Sequence, residues 1–150
     1  ANDIGQATTL RVADGVLGYV PGAWDMFHIG HLNILKRARE NCTRLVVGVV
    51  TDEALFQAKG KYPIVPLAER MEVVGAMDIV DAVVVDFSSS KLAAWGQVHF
   101  DVLFKGDDWR GTAKGDRLES EMACVGAEVH YFPYTAHTSS TALRQILAAR

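Results

Sequence analysis

Six consecutive residues without a polar side chain, Leu45–Val50 (LVVGVV), constrain this chain more than any other feature. A strand with one face in water alternates apolar and polar positions. An unbroken, mostly β-branched run therefore predicts a strand buried on both faces, as in a parallel sheet with helices packed on either side. The flanking pattern agrees. Val16–Val20 predicts a first strand ended by Pro21 and Gly22, and His31–Asn41 places Leu32, Leu35 and Ala38 at helical spacing. Leu67–Met77, introduced by Pro66, predicts a helix, and Ala82–Val85 a strand. There follow a helix over Lys91–Val98 weakened by Gly96, a strand over Asp101–Lys105, a helix over Asp116–Val125 and a strand over Glu128–Phe132. Ser139 or Ser140 caps a last helix reaching Ala149. The expected class is α/β: an open parallel sheet of about five strands with helices on both faces and ligands at the carboxyl ends of the strands. Residues 16–150 are expected to form one domain, with 1–15 a loose arm. The longest connection, Thr51–Pro66, predicts a functional loop carrying Lys59, Gly60 and Lys61, with a merely solvated surface loop as the alternative.

A chain of 150 residues buries enough surface to hold a core without disulfides or structural metal. Its 15 Lys and Arg against 18 Asp and Glu leave a formal charge of −3, so no global basic field exists to hold nucleic acid or an anionic membrane. No apolar run approaches the roughly 20 residues of a membrane span. Cys42 and Cys124 are far apart in sequence and read as reduced, structural thiols of a cytosolic protein. Any anionic ligand must be held by a local site.

One such site is legible in G-A-W-D-M-F-H-I-G-H, Gly22–His31, where the first strand runs into the first helix. A helix N-terminus offers free N–H groups to an anion, Gly30 lets a phosphate approach the backbone, and His28 and His31 can each donate a hydrogen bond to phosphate oxygens. The competing readings are two structural histidines, or a zinc site. Zinc would need two further ligands, and His99, His130, His137 and the cysteines are not at ligand spacing.

With H-I-G-H in that setting, the chain resembles the HxGH nucleotidyltransferase superfamily, whose small members have a Rossmann-like α/β fold. Further segments carry the likeness: T-D-E at Thr51–Glu53, K-G-K at Lys59–Lys61, E-R at Glu69 and Arg70, G-D-D-W at Gly106–Trp109, and T-S-S-T at Thr138–Thr141, where the family has a phosphate-binding turn. G-D-D-W and T-D-E look most like bacterial glycerol-3-phosphate cytidylyltransferase, whereas P-L-A-E-R and G-A-M-D-I-V-D also look like ADP-heptose adenylyltransferases. The resemblance implies transfer of CMP from CTP to a small phosphorylated alcohol such as glycerol 3-phosphate or to a phosphonate, or alternatively of AMP from ATP to a sugar phosphate, with release of pyrophosphate. A catalytically silent nucleotide-binding domain of a larger enzyme is the alternative from another class.

By the same resemblance His28, His31 and Lys59 are the catalytic residues, and Lys61 joins Lys59 in closing over the phosphates. Gly22, Ala23, Trp24, Asp25 and Gly30 belong to the nucleotide site. Arg70 reaches the phosphates, its alternative being a solvated helix face. Thr138, Ser139, Ser140 and Thr141 supply hydroxyls for the β- and γ-phosphates, or simply cap the helix. Gly106, Asp107, Asp108 and Trp109 border the nucleoside, the indole stacking or packing. Mg²⁺ is expected on the triphosphate, held by no protein side chain, and a homodimer is expected as for other members. The chain departs from the cytidylyltransferase pattern where R-T-E-G-I-S-T becomes Y-T-A-H-T-S-S, Tyr134–Ser140. Asp78 also falls where a second arginine is usual, and Trp24 replaces a phenylalanine. The triphosphate residues are intact while the acceptor end differs. This points to an altered acceptor pocket involving Tyr134 and His137, with a small phosphate or phosphonate as acceptor.

Overall fold

The computed structural model describes residues 15–87, 90–133 and 139–149. The expected arm up to residue 14, and Tyr134, His137 and Thr138, lie outside the described residues. In chain order the elements are β1 (Leu17–Gly22), α1 (Ile29–Glu40), β2 (Arg44–Val50), α2 (Asp52–Lys59), α3 (Leu67–Gly75), β3 (Ala82–Asp86), α4 (Lys91–Val98), β4 (Val102–Gly106), a 3₁₀ turn (Asp107–Trp109), α5 (Ala113–Cys124), β5 (Glu128–Phe132) and α6 (Ser140–Ala148). The five strands form one parallel sheet in the order β3-β2-β1-β4-β5. The fold is α/β and Rossmann-like, as expected.

The LVVGVV run behaves as its composition requires. Leu45, Val47 and Val49 turn to one face, against Leu35 and Ala38 of α1 and Val74 of α3. Val46 turns to the other, against Ala94 of α4 and Leu118 and Met122 of α5. Gly48 on that second face makes room for Tyr19, which is fully buried, stacks on Phe100 at 4.7 Å and donates its hydroxyl to Asp86 Oδ2 at 2.7 Å. A Cβ at position 48 would sit 1.9 Å from that hydroxyl. Gly48→Ala is therefore expected to destabilise the fold by roughly 1–3 kcal/mol through overpacking. Urea denaturation measures it, and an unchanged midpoint would show that Tyr19 is free to move aside.

Two expectations are corrected here. Pro21 and Gly22 do not end β1, which stays paired with β2 through Gly22↔Val49. They mark where β1 leaves β4: that ladder stops at Tyr19↔Leu103, and Pro21, just beyond, has no N–H to extend it. The strands thus part at the switch point of the sheet, where α/β folds bind their ligands. Nor is Thr51–Pro66 an irregular loop. Thr51 Oγ1 accepts from Ala54 N at 3.1 Å to start α2, and Gly60, at φ 73°, stops it in the left-handed conformation. Lys59 therefore stands in the last turn of a helix.

Candidate active site

A cleft of about 590 Å³ opens at the carboxyl ends of β1 and β4, within the size range of small-molecule sites. Its floor is the turn between β1 and α1. Trp24 and Met26 both have positive φ there, 57° and 51°, a conformation unfavourable for large side chains. The surroundings enforce it at Trp24, which is buried and donates Nε1–H to the Gly48 carbonyl at 3.0 Å. The result is a sharp reversal that delivers His28 to the start of α1.

Helix α1 begins at Ile29, two residues earlier than the spacing predicted, because His28 itself is the cap. Its Nδ1 accepts from Gly30 N at 3.1 Å, while His28 N donates to His31 Nδ1 at 3.2 Å. The imidazoles stack with centroids 3.9 Å apart. With both Nδ1 atoms committed as acceptors, each neutral ring carries its proton on Nε2. Burial lowers the pKa of His28. Burial, and then the neighbouring His28, push His31 down to about 4 against an opposing pull from Asp25. The pair thus offers hydrogen bonds rather than positive charge near neutral pH. Acidification should consequently destabilise the fold. Between the ordinary histidine pKa of 6.5 and about 4, the unfolded chain takes up a proton that folded His31 refuses. His31→Gln is expected to flatten the loss of Tm across that interval, and an unchanged slope would contradict the assigned protonation state.

The second wall is the start of α6. Ser139 Oγ caps that helix by accepting from Ala142 N at 3.0 Å. Ser140 Oγ donates to the Asp25 carbonyl at 2.8 Å and stands 3.4 Å from His28 Nε2. Two helix N-termini therefore face one cleft. The carboxylate of Asp25 ties α6 to the segment before α3: it accepts from Ile64 N and Val65 N at 2.9 and 2.8 Å and pairs with Arg144 Nη2 at 2.7 Å. Asp25 is 3% exposed. It aligns the walls rather than presenting its charge to a ligand.

Gly22, Ala23, Trp24, Gly30, Ser139, Ser140 and Thr141 line this cleft, as do Lys59, Lys61, Gly106 and Asp108. Asp107 and Trp109 lie outside its lining. Trp109 packs on the α4 and α5 face of the sheet with the Lys105 ammonium 4.1 Å over its ring, so of the two roles expected for the indole the structure shows packing. Arg70 is the clear correction. Instead of reaching the phosphates or facing solvent, it is 1% exposed, donating to the carbonyls of Val65, Ala23 and Val50 at 2.8, 2.7 and 2.9 Å and pairing with Asp52. A buried guanidinium with that many partners is a strut. Two cations on the cleft, Lys105 and Arg144, were missed by sequence reasoning. Lys105 reads as the polar end of a strand and Arg144 as the outer face of a short helix.

The chain matches the family model described as Cytidylyltransferase-like over residues 19–146. It belongs to the cytidylyltransferase-like family. Among its relatives in the nucleotidyltransferase superfamily, the bifunctional protein HldE of Hyphomonas neptunium is 33% identical over 143 residues, 93% of this chain and 29% of that protein. The ethanolamine-phosphate cytidylyltransferase of Arabidopsis thaliana is 47% identical over 77 residues, 51% of this chain and 18% of that protein. This cytidylyltransferase-like chain thus spans less than a third of the length of either. The fold also matches a lipopolysaccharide core biosynthesis protein from Thermoplasma volcanium, with a TM-score of 0.68 and 21% identity over 83% of this chain and 99% of that one. No helix among the described residues is long and apolar enough to cross a membrane.

Proposed function

We propose that this cytidylyltransferase-like domain transfers CMP from CTP to the phosphate or phosphonate of a small alcohol. The observation that carries nucleotidyl transfer is the meeting of the α1 and α6 N-termini at one cleft, with Ser140 Oγ 3.4 Å from His28 Nε2 and Lys59 and Lys61 on a third side. Backbone N–H groups, imidazole Nε2–H, hydroxyls and ammonium groups together suit a triphosphate. In the step envisaged, an acceptor oxygen attacks the α-phosphorus and forms a new P–O bond. The bond from that phosphorus to the bridging oxygen breaks, and its electron pair leaves with pyrophosphate. The protein's part is to position the reactants and stabilise the charge developing on the phosphate oxygens. Lys59 and Lys61 neutralise the phosphates, and the histidines donate Nε2–H to them.

Cytosine is favoured by G-D-D-W and by the local identity to the Arabidopsis enzyme, which is a cytidylyltransferase by name. The P-L-A-E-R and G-A-M-D-I-V-D stretch favours ATP as the second reading. Mg²⁺ fits as an ion carried by the nucleotide. Of the two carboxylates that line the cleft, Asp25 has both oxygens engaged by Ile64 N, Val65 N and Arg144, and Asp108 is exposed. Bound there, the ion would supply further charge neutralisation across the phosphates. A homodimer in the cytoplasm belongs to the same proposal. Pyrophosphate release from CTP, ATP, GTP and UTP, each with a panel of phosphorylated alcohols and phosphonates, tests the reading. CTP is expected to support release at least about tenfold faster than the others, a transition-state preference of about 1.4 kcal/mol. Nucleotide binding with no release from any pair would instead indicate a silent nucleotide-binding domain.

A further inference from the structure

Lys105 presents a positive charge to the cleft that the triphosphate site does not use. It lies near the end of β4, where side chains alternate between the sheet faces: Phe104 packs with the α1 and α3 cluster, and Leu103 with the α4 and α5 cluster. Lys105 follows Leu103's side and stands over Trp109, which Lys114 also approaches at 5.7 Å. His31 packs on the opposite side, against Trp24 and Phe27, with His28 stacked on it. The cleft is therefore bounded by helix N-termini on one side of the sheet edge and by Lys105 on the other.

In-line displacement places the attacking oxygen and the leaving pyrophosphate on opposite sides of the α-phosphorus. If the two helix N-termini hold the triphosphate, the acceptor's own anionic group arrives on the side that Lys105 occupies. We infer that Lys105 binds the phosphate or phosphonate of the acceptor and so helps to select an anionic acceptor. This assignment rests on the nucleotidyl-transfer reading above.

The charges around Lys105 suit an anionic ligand. Burial first, and then Lys91 of α4, with Lys59 of α2 and Lys114 of α5 adding, hold its pKa down to about 8, while Asp108 of the 3₁₀ turn opposes them. Lys91 is itself paired with Asp86. Among the described residues the Lys105 ammonium makes neither a hydrogen bond nor an ion pair and rests on the Trp109 ring. Holding like charges together in a partly dry cleft is unfavourable until a counter-charge arrives.

Steady-state pyrophosphate release with nucleotide and acceptor varied separately tests the assignment. Lys105→Met keeps the stem that covers Trp109 and removes the charge. It is expected to raise the acceptor KM roughly 10- to 100-fold, the range for a lost charge-assisted hydrogen bond, with the nucleotide KM within about twofold of wild type. Lys105→Arg should restore most of the acceptor affinity. It should also abolish the rise in acceptor KM expected of wild type as pH passes through about 8. An unchanged acceptor KM in Lys105→Met, or a nucleotide KM that rises with it or in its place, would overturn the assignment. If wild type releases no pyrophosphate with any pair, the nucleotidyl-transfer reading fails, and calorimetric titration with inorganic phosphate decides the anion site separately. Weaker binding to Lys105→Met than to wild type supports it, and equal binding refutes it.

Discussion

Replacing His28 by asparagine is expected to lower turnover about 100- to 1000-fold, the usual loss for a preorganised donor at a developing negative charge. The melting temperature should meanwhile move by only about 2 °C, because asparagine is among the best helix caps. Its side-chain oxygen can accept from Gly30 N as Nδ1 does now, but asparagine has no equivalent of Nε2–H directed across the cleft towards Ser140. Alanine removes both functions, so His28→Ala should add a capping loss of about 1 kcal/mol to the same kinetic defect. Comparing the two variants by pyrophosphate release and thermal melting separates a catalytic role from a structural one. If His28→Asn turned over like wild type, His28 would be a cap and nothing more.

Arg70→Met is expected to reverse that pattern, unfolding the protein well before it impairs a bound nucleotide. Methionine fills similar volume yet leaves the carbonyls of Ala23, Val50 and Val65 and the carboxylate of Asp52 without their donor. Removing one partner from a buried charged network costs roughly 3–5 kcal/mol. At roughly 2–4 °C per kcal/mol for a chain of this size, that is a drop in melting temperature of about 6–20 °C. Arg70→Lys should recover little, since one ammonium cannot span acceptors on the β1 turn, β2 and the segment before α3 at once. A residue that merely touched phosphate would behave otherwise: the nucleotide KM would rise and the melting curve would stay in place. Thermal melting with KM measured well below the transition distinguishes the two.

The contrast between these residues shows what the sequence could carry. Strands buried on both faces write themselves as continuous apolar runs, which is why β2 and β4 were legible to within a few residues. Helix α2 was not, because Leu55 is its only buried residue and eight positions give little periodicity. Its boundaries were nonetheless present in the Thr51 cap and the Gly60 stop. The H-I-G-H motif predicts a phosphate site, and the structure shows how the two imidazoles are held: each spends Nδ1 on the backbone at the start of its own helix, which leaves the proton on Nε2. Arg70 was misread because a charged residue in a helical pattern is ordinarily solvated, and only the tertiary arrangement brings three carbonyls to it. Lys105 was invisible for the related reason that a strand pattern does not say which face of the sheet borders a cleft.

Following CTP and a small phosphorylated alcohol or phosphonate by ³¹P NMR in the presence of the protein tests nucleotidyl transfer most directly. A diphosphate diester linking CMP to the acceptor is expected to grow together with pyrophosphate in equal amounts, and both are expected to be lost in His28→Asn. Conversion of CTP to CMP without incorporation of any acceptor, or product formation that survives His28→Asn, would contradict that expectation.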